Sequence, residues 1–236
     1  MTSALQYRAR PTPKRKKQSL TEMAYSAIKA EINAGKIALD SFIDIPEIER
    51  QLDMSRTPIR EAMLRLQTEK VVEIVPKRGI RILALSADEL SEFHQVIVGL
   101  ELQAIGNICS RGLTRTDIMP LLYALSAEEN ALRAGNDEAW AEADEKFHRS
   151  LFVLNGNAKL METGLSFRDV IQRANIAALR HITLSDKERC LRDHNDVKEL
   201  MLAGNESSAR ASYLAHSNWL RTQITETLSE KEINRL

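Results

Sequence analysis

Asp53-Met54-Ser55-Arg56-Thr57-Pro58-Ile59-Arg60-Glu61-Ala62-Met63-Leu64-Arg65 decides how the N-terminal third folds, because it reads as the turn and second helix of a helix-turn-helix. Ser55 suits an N-cap, and Pro58 suits the first helical turn, where a missing N–H leaves no bond unmade. Ile59, Ala62, Met63 and Leu66 recur at helical spacing and predict a buried face. Arg56, Thr57 and Arg60 then stand at the exposed N-terminal end, the end that such motifs insert into the major groove of DNA.

The flanking segments extend this reading. Ser19-Leu20-Thr21-Glu22 has the form of a capping box opening a first helix, with Ala24, Ile28 and Ile32 as its apolar stripe and Gly35 as its stop. A short helix over 46–52 precedes the turn. Two β-branched runs, 71–75 and 80–83, enclose Pro76-Lys77-Arg78-Gly79 and predict a hairpin whose basic tip lies along a phosphate backbone as a wing. Ser-Arg-Thr-Pro alone would cap a helix in any globular protein. In the company of these helices and this hairpin it predicts a winged helix-turn-helix over residues 19–83.

Net charge over all 236 residues is zero, which by itself argues against a nucleic-acid partner. The charge is unevenly spread, however: residues 1–83 hold 16 Lys and Arg against 10 Asp and Glu, leaving 17 against 23 beyond. Within residues 1–18, Arg8, Arg10, Lys14, Arg15, Lys16 and Lys17 meet no acidic residue. That segment reads either as a solubilising tail or as a disordered basic arm adding salt-dependent phosphate contacts. No apolar segment follows its charges, as a signal peptide would require. No apolar run approaches the roughly 20 residues of a membrane helix. Cys109 and Cys190 are far apart in sequence and suggest neither a disulfide framework nor a cysteine zinc site. The expected compartment is the cytoplasm.

From Ser86 onward no strand pattern is visible. Ser86-Ala87-Asp88-Glu89 forms a second capping box, after a linker over 84–89 that includes the start of this helix. Leu90, Phe93, Ile97, Leu100, Ala104 and Ile108 then make a stripe ending near Gly112. Further helices are expected at about 116–134, 137–154, 158–181, 186–203 and 206–229, punctuated by Gly135, Gly156 and Gly204. Connections this short predict an all-α antiparallel bundle over 90–230. The fold class is thus mostly α.

The bundle carries the one constellation that suggests site chemistry. Asp144 and His148 lie four apart and project from one helix face, while His194 and His216 sit on the two last helices. Three imidazoles and a carboxylate form a plausible divalent-metal set: zinc first, with nickel, manganese and iron also compatible. Each histidine has a bland alternative as a surface or satisfied core residue, and His94 and His181 are read that way.

The N-terminal residues resemble the GntR family of bacterial transcription regulators. Ser55 through Ala62 and Arg78-Gly79 match that family's Ser-Arg-Thr-Pro-(Val/Ile)-Arg-Glu-Ala segment and Arg-Gly wing. The resemblance covers about residues 19–83 and implies that Ser55, Arg56, Thr57 and Arg60 contact operator DNA. It also implies that Gly79 lets the wing backbone approach the minor groove, beside the basic tip residues Lys77 and Arg78. Leu39-Asp40 replaces the family's Pro-Gly after the first helix, and Asp53-Met54 replaces Gly-Val in the turn. Asp53 must then adopt an unusual backbone geometry, which Asp tolerates better than most residues.

Residues 90–222 resemble the FCD effector domain of FadR-type members. Asp144-Glu145-Lys146-Phe147-His148, Asn155-Gly156-Asn157, Asp193-His194 and the run from Ala209 to His216 match in order and spacing. The resemblance implies that Asp144, His148, His194 and His216 ligate the metal and that open coordination positions hold a small organic acid. One departure bears on the effector. Many relatives carry an Arg one turn before a Leu-Glu pair; here Leu100-Glu101 has Ile97 in that place, so an aromatic or less charged effector stays open. Arg149, Arg173 and Arg180 are substitutes, each more naturally a solvated helix residue.

The expected function is a dimeric, effector-responsive regulator, a repressor by family habit, that reads a palindromic operator. The segment near Leu83–Ser86 is the expected joint. Two alternatives are a metal-dependent enzyme on the helical bundle and a constitutive architectural DNA-binding protein with structural histidines. Against the enzyme, no second acid–base pair or nucleophile motif is present.

Overall fold

The computed structural model describes residues 19–33, 37, 41–69, 71–76, 78–83, 87–114, 116–179 and 182–230, with backbone alone at 87, 173, 176, 177 and 225–230. The basic arm, Gly35, Leu39-Asp40, Lys77, the joint at 84–86 with its Ser86 cap, Arg180 and His181 lie outside the described residues, as does the Arg173 side chain. Of the described residues, no helix is long and apolar enough to cross a membrane.

The first unit contains α1 (Leu20–Asn33), β1 (Phe42–Ile43), α2 (Ile45–Leu52), α3 (Arg56–Thr68), β2 (Val72–Val75) and β3 (Gly79–Ile82). The stripe on α1 turns Ala24, Tyr25, Ile28 and Ile32 inward against Ile59, Ala62, Met63 and Leu66 of α3, all buried. Ser19 Oγ accepts from the Glu22 amide at 3.1 Å, but Glu22 reaches Arg65 rather than completing the capping box. Ser55 takes the N-cap position of α3 without a capping bond from its side chain, so the cap expected there is one of backbone geometry alone. Asp53 ends α2 with φ 49°, the left-handed turn that its sequence position demanded.

The hairpin forms with Val72 opposite Ile82 and Val75 opposite Gly79. β1, which the sequence reading did not anticipate, pairs antiparallel with β3 and gives the sheet order β1-β3-β2. Two residues are too few to show alternation. Gly79 has φ 105°, a conformation that L side chains rarely adopt, and it turns the chain into β3.

The remainder is helical among the described residues: α4 (Ala87–Arg111), α5 (Met119–Ala134), α6 (Asp137–Leu154), α7 (Ala158–Leu179), α8 (Leu184–Leu202) and α9 (Glu206–Glu230). Two starts differ from expectation, each because of a local cap. Thr114 and Asp117 bond each other's backbone N–H groups, at 3.1 Å both ways, and hold a turn, so α5 begins at Met119 rather than near 116. Thr183 and Asp186 form a capping box that starts α8 at Leu184. Gly135, with φ 62°, closes α5. Trp140, Phe147, Phe152 and Tyr213 are among the largest fully buried side chains, and they fill the bundle core. At about 1.5–3 kcal/mol per fully buried large apolar side chain, such residues supply much of the drive that orders these helices.

Candidate functional site

In the first unit, Ser55, Arg56, Thr57 and Arg60 are all exposed at the N-terminal end of α3. Pro58 and Ile59 between them are buried, so the helix is anchored by one face while its polar face stands free for a partner. Arg56 and Arg60 share one concavity with Ile74, Val75, Pro76 and Gly79 of the wing. Arg78 is exposed, its guanidinium 5.5 Å from the Phe42 ring. Helix end and wing therefore border a single recess edged with arginine, which can donate to phosphate oxygens or, in pairs, to guanine.

The second site lies inside the bundle. Asp144 and His148 of α6, His194 of α8 and His216 of α9 converge, each no more than 5% exposed. One ligand atom from each of the three histidines lies within 4.8 Å of the others. Asp144 Oδ2 is 3.8 Å from His148 Nε2, and its Oδ1 is 3.9 Å from His194 Nε2. All four sequence-predicted residues thus meet at one point.

The tautomers follow from the outer partners. Nδ1 of His148 faces Tyr213 Oη at 2.8 Å and Glu101 Oε1 at 3.2 Å; Nδ1 of His194 faces Glu128 Oε1 at 3.0 Å; Nδ1 of His216 faces Asp193 Oδ2 at 3.3 Å. An ionised carboxylate can only accept, so with these carboxyls ionised each Nδ1 beside one carries the proton and donates it. The Nε2 lone pairs then point inward, and those of His194 and His216 stand 3.1 Å apart. Two acceptors facing each other repel, whereas a cation between them removes the conflict. This carboxylate-behind-imidazole arrangement is the usual support of a metal-binding histidine. Phe147 stacks on His194 at 3.7 Å between ring centroids and fixes its plane.

Charge balance points the same way. Glu101, Glu128, Asp144 and Glu145 are all buried, and the buried Arg168 guanidinium pairs with two of them, Glu101 and Glu145. Burial pushes Glu128 up to about 8, and Glu101 and Asp144 to about 7. It lowers His194 and His216 to about 4 and His148 well below its ordinary value, so the imidazoles are neutral near pH 7. Uncompensated buried carboxylates are costly. Asp144 Oδ1 is moreover buried with no hydrogen-bond partner. Neutral imidazoles, a set of buried carboxyls that a cation would hold ionised, and an orphaned carboxylate oxygen all fit a divalent ion.

A small cavity of about 20 Å³, room for about one water, adjoins the cluster. Ile97, Val98, Leu179 and Leu220 give it apolar wall; His94, Asn175, Ser217 and Arg168 give it polar groups. His94 Nε2 pairs with Asn175 Oδ1 at 3.0 Å. Arg168 is the cation that the sequence reading missed. Ile97 does occupy the wall, and a guanidinium arrives from α7 instead. Of the substitutes considered, Arg149 is spent on Glu145, Asp169 and Gln172 and does not line this cavity. Glu128 was also missed. Both had one available signal: a charged residue on an otherwise buried stripe, Glu128 beside Leu121, Ala124, Leu125 and Ala131, and Arg168 beside Ile171 and Ala174.

Comparison with known proteins matches residues 20–82 to the bacterial regulatory proteins of the gntR family and residues 89–218 to the FCD domain. An HTH-type transcriptional regulator of Agrobacterium vitis is 42% identical over 107 residues, which are 44% of this chain and 63% of that relative, just under two thirds of its length. The Nta operon transcriptional regulator of Aminobacter aminovorans is 28% identical over 77% of this chain and 83% of its own. Among solved structures, E. coli McbR/YncC shares the fold at a TM-score of 0.78 and 18% identity, covering 89% of this chain and 99% of its own. A GntR regulator from Rhodococcus sp. RHA1 does so at 0.74 and 19%, covering 86% and 96%. With both halves matched in order, the chain belongs to the GntR family of bacterial transcription regulators, as a member that carries an FCD domain.

Proposed function

We propose that this transcription regulator binds a palindromic operator as a dimer and releases or engages it according to what its bundle holds. The bundle's ligand set is Asp144, His148, His194 and His216. Zinc suits it first, and nickel, manganese and iron suit the same donors. The observation that carries this reading is the triple Nδ1 anchoring, which turns three Nε2 atoms toward one point beside an orphaned Asp144 oxygen.

When bound, the ion supplies positive charge and open positions at which a small metabolite's oxygen can replace water. The chain's own residues do the rest. Glu128 and Asp193 hold His194 and His216 by their Nδ1 atoms, Phe147 keeps the His194 ring in plane, and the buried walls exclude bulk water. The cavity beside His148 and His216 holds about one water as it stands, so the metabolite, an organic acid or a less charged molecule, enters by spreading its walls. At the other end, Ser55, Arg56, Thr57 and Arg60 read the major groove, while Arg78 and Gly79, with Lys77, follow the backbone as the wing. If effector weakens operator binding, operator weakens effector binding by the same factor, because coupling between two sites is reciprocal. Repression is the proposed mode.

The test is selection of duplexes from a random-sequence pool by the purified chain, followed by sedimentation of the complex with the enriched duplex. Palindromic winners carrying two chains per duplex support the proposal. Winners without two-fold symmetry, or one chain per duplex, contradict it.

A further inference from the structure

Asp144 and His148 are each followed in sequence by a residue that faces elsewhere, and those two, Glu145 and Arg149, belong to a chain of ion pairs. From the histidine cluster, His148 Nδ1 lies 3.2 Å from Glu101 Oε1, which lies 3.4 Å from Arg168 Nη1. Arg168 forks onto Glu145 through Nη2 and through Nε at 3.2 Å. Glu145 Oε1 also accepts from Arg149 Nε at 2.8 Å, and Arg149 pairs with Asp169. Asp169 Oδ2 lies 3.2 Å from Lys29 Nζ, on α1 of the DNA-reading unit. Lys29 continues to Glu69 Oε2 at 3.0 Å, and Glu69 is the C-cap residue of α3.

This series crosses from the bundle to the recognition helix without a gap. Arg168 and Asp169 are neighbours on α7, the first 3% exposed and turned into the cavity, the second turned toward α1. On α6 the same division holds, with 144 and 148 facing the cluster and 145 and 149 facing the ion pairs. A helix turn is stiff, so a shift of α6 at one pair of positions is a shift at the other. The Arg168–Glu145 fork is geometrically demanding and so transmits displacement rather than absorbing it, and at the crossing Lys29 is held between two carboxylates, Asp169 and Glu69.

We propose, resting on the metal-site reading above, that Arg168 is a positioning residue that couples occupancy of the Asp144–His148–His194–His216 cluster to the placement of the recognition helix, through Glu145, Arg149, Asp169 and Lys29. The cluster acts on Glu101 through His148, Arg168 carries the change from Glu101 to Glu145 and Arg149, and Asp169 passes it to Lys29 and the Glu69 end of α3. Contiguous contact alone does not prove coupling, so the decisive evidence is loss of a response when one link is cut.

The test follows amide hydrogen exchange in the full-length protein, stripped of metal and then loaded with Zn²⁺ alone. In wild type, Zn²⁺ changes exchange by about threefold or more in both α6 and α1. In Asp169→Asn the α6 response stays and the α1 response is lost; Arg168→Lys, which keeps the charge without the fork, behaves the same way. A wild-type α1 that stays silent while α6 responds, or an α1 response that survives Asp169→Asn, overturns the coupling. A silent α6 refutes the metal reading instead. The coupling is then decided in metal-free protein by Glu101→Gln, which must alter α1 exchange by about threefold in the wild-type background and not in Asp169→Asn. An unaltered α1, or one altered equally in both backgrounds, overturns it.

Discussion

The DNA-reading unit and the effector bundle place their chemistry in opposite ways. In the first, Ser55, Arg56, Thr57 and Arg60 lie within six consecutive positions, exposed, on a helix end held by buried Pro58 and Ile59. In the second, the four proposed ligand residues come from three helices separated by up to 72 positions and are almost wholly buried. An exposed site needs its residues only to be presented, and local helix geometry does that. A buried site needs each residue's remaining polar atoms satisfied, so it recruits further residues behind the first. Substitutions should therefore act locally in the reading unit and cooperatively in the bundle.

The largest effect is expected from metal removal. If buried carboxylates and inward lone pairs are relieved by a cation, chelation should lower the melting temperature of the bundle, and Zn²⁺ should restore it. A calorimetric scan with and without chelator checks this; identical scans would place the bundle on the same footing as the reading unit. Next in size is Glu128→Gln. It removes the charged acceptor behind His194 while keeping the shape, and should reduce Zn²⁺ affinity about 10- to 100-fold in competition with a chelating dye. Unchanged affinity would make Glu128 a packing residue.

On the exposed side, Arg56→Ala or Arg60→Ala should weaken operator binding by about 1–3 kcal/mol if it reads a base, with melting and metal content unchanged. A shift in either of the latter would break the separation of the two regions. The smallest expected effect is on pH. Since burial lowers His194 and His216 to about 4, their folded-state values lie below the ordinary 6.5. A histidine so depressed adds stability that is full above its unfolded value and is lost as pH falls through the interval down to its folded one. Metal occupancy should then persist through the ordinary histidine range and decline toward about 4. Release centred on 6.5 would mean that the imidazoles are more solvated than they stand here.

The same contrast explains what was legible in the sequence. The recognition helix, the hairpin and the left-handed turn at Asp53 could be read because neighbours in sequence define them. Helices α6 and α9 were legible from periodicity between Gly135, Gly156 and Gly204, whereas β1 is too short for any pattern. The convergence of Asp144, His148, His194 and His216 was reachable through motif order. Glu128 and Arg168 were not, because their meaning depends on which residue of another helix lies opposite, His194 in one case and Glu101 and Glu145 in the other. A charge on a buried stripe shows that a partner exists without naming it.

The central claim is that the converging imidazoles of the bundle hold a divalent ion, and elemental analysis of chelator-free protein tests it most directly. Wild type should carry, or take up from added Zn²⁺, Ni²⁺ or Mn²⁺, about one ion per chain, and His148→Ala should carry none while still binding the selected duplex. Wild-type protein that neither contains nor takes up a divalent ion would contradict the claim and return Asp144, His148, His194 and His216 to a structural role.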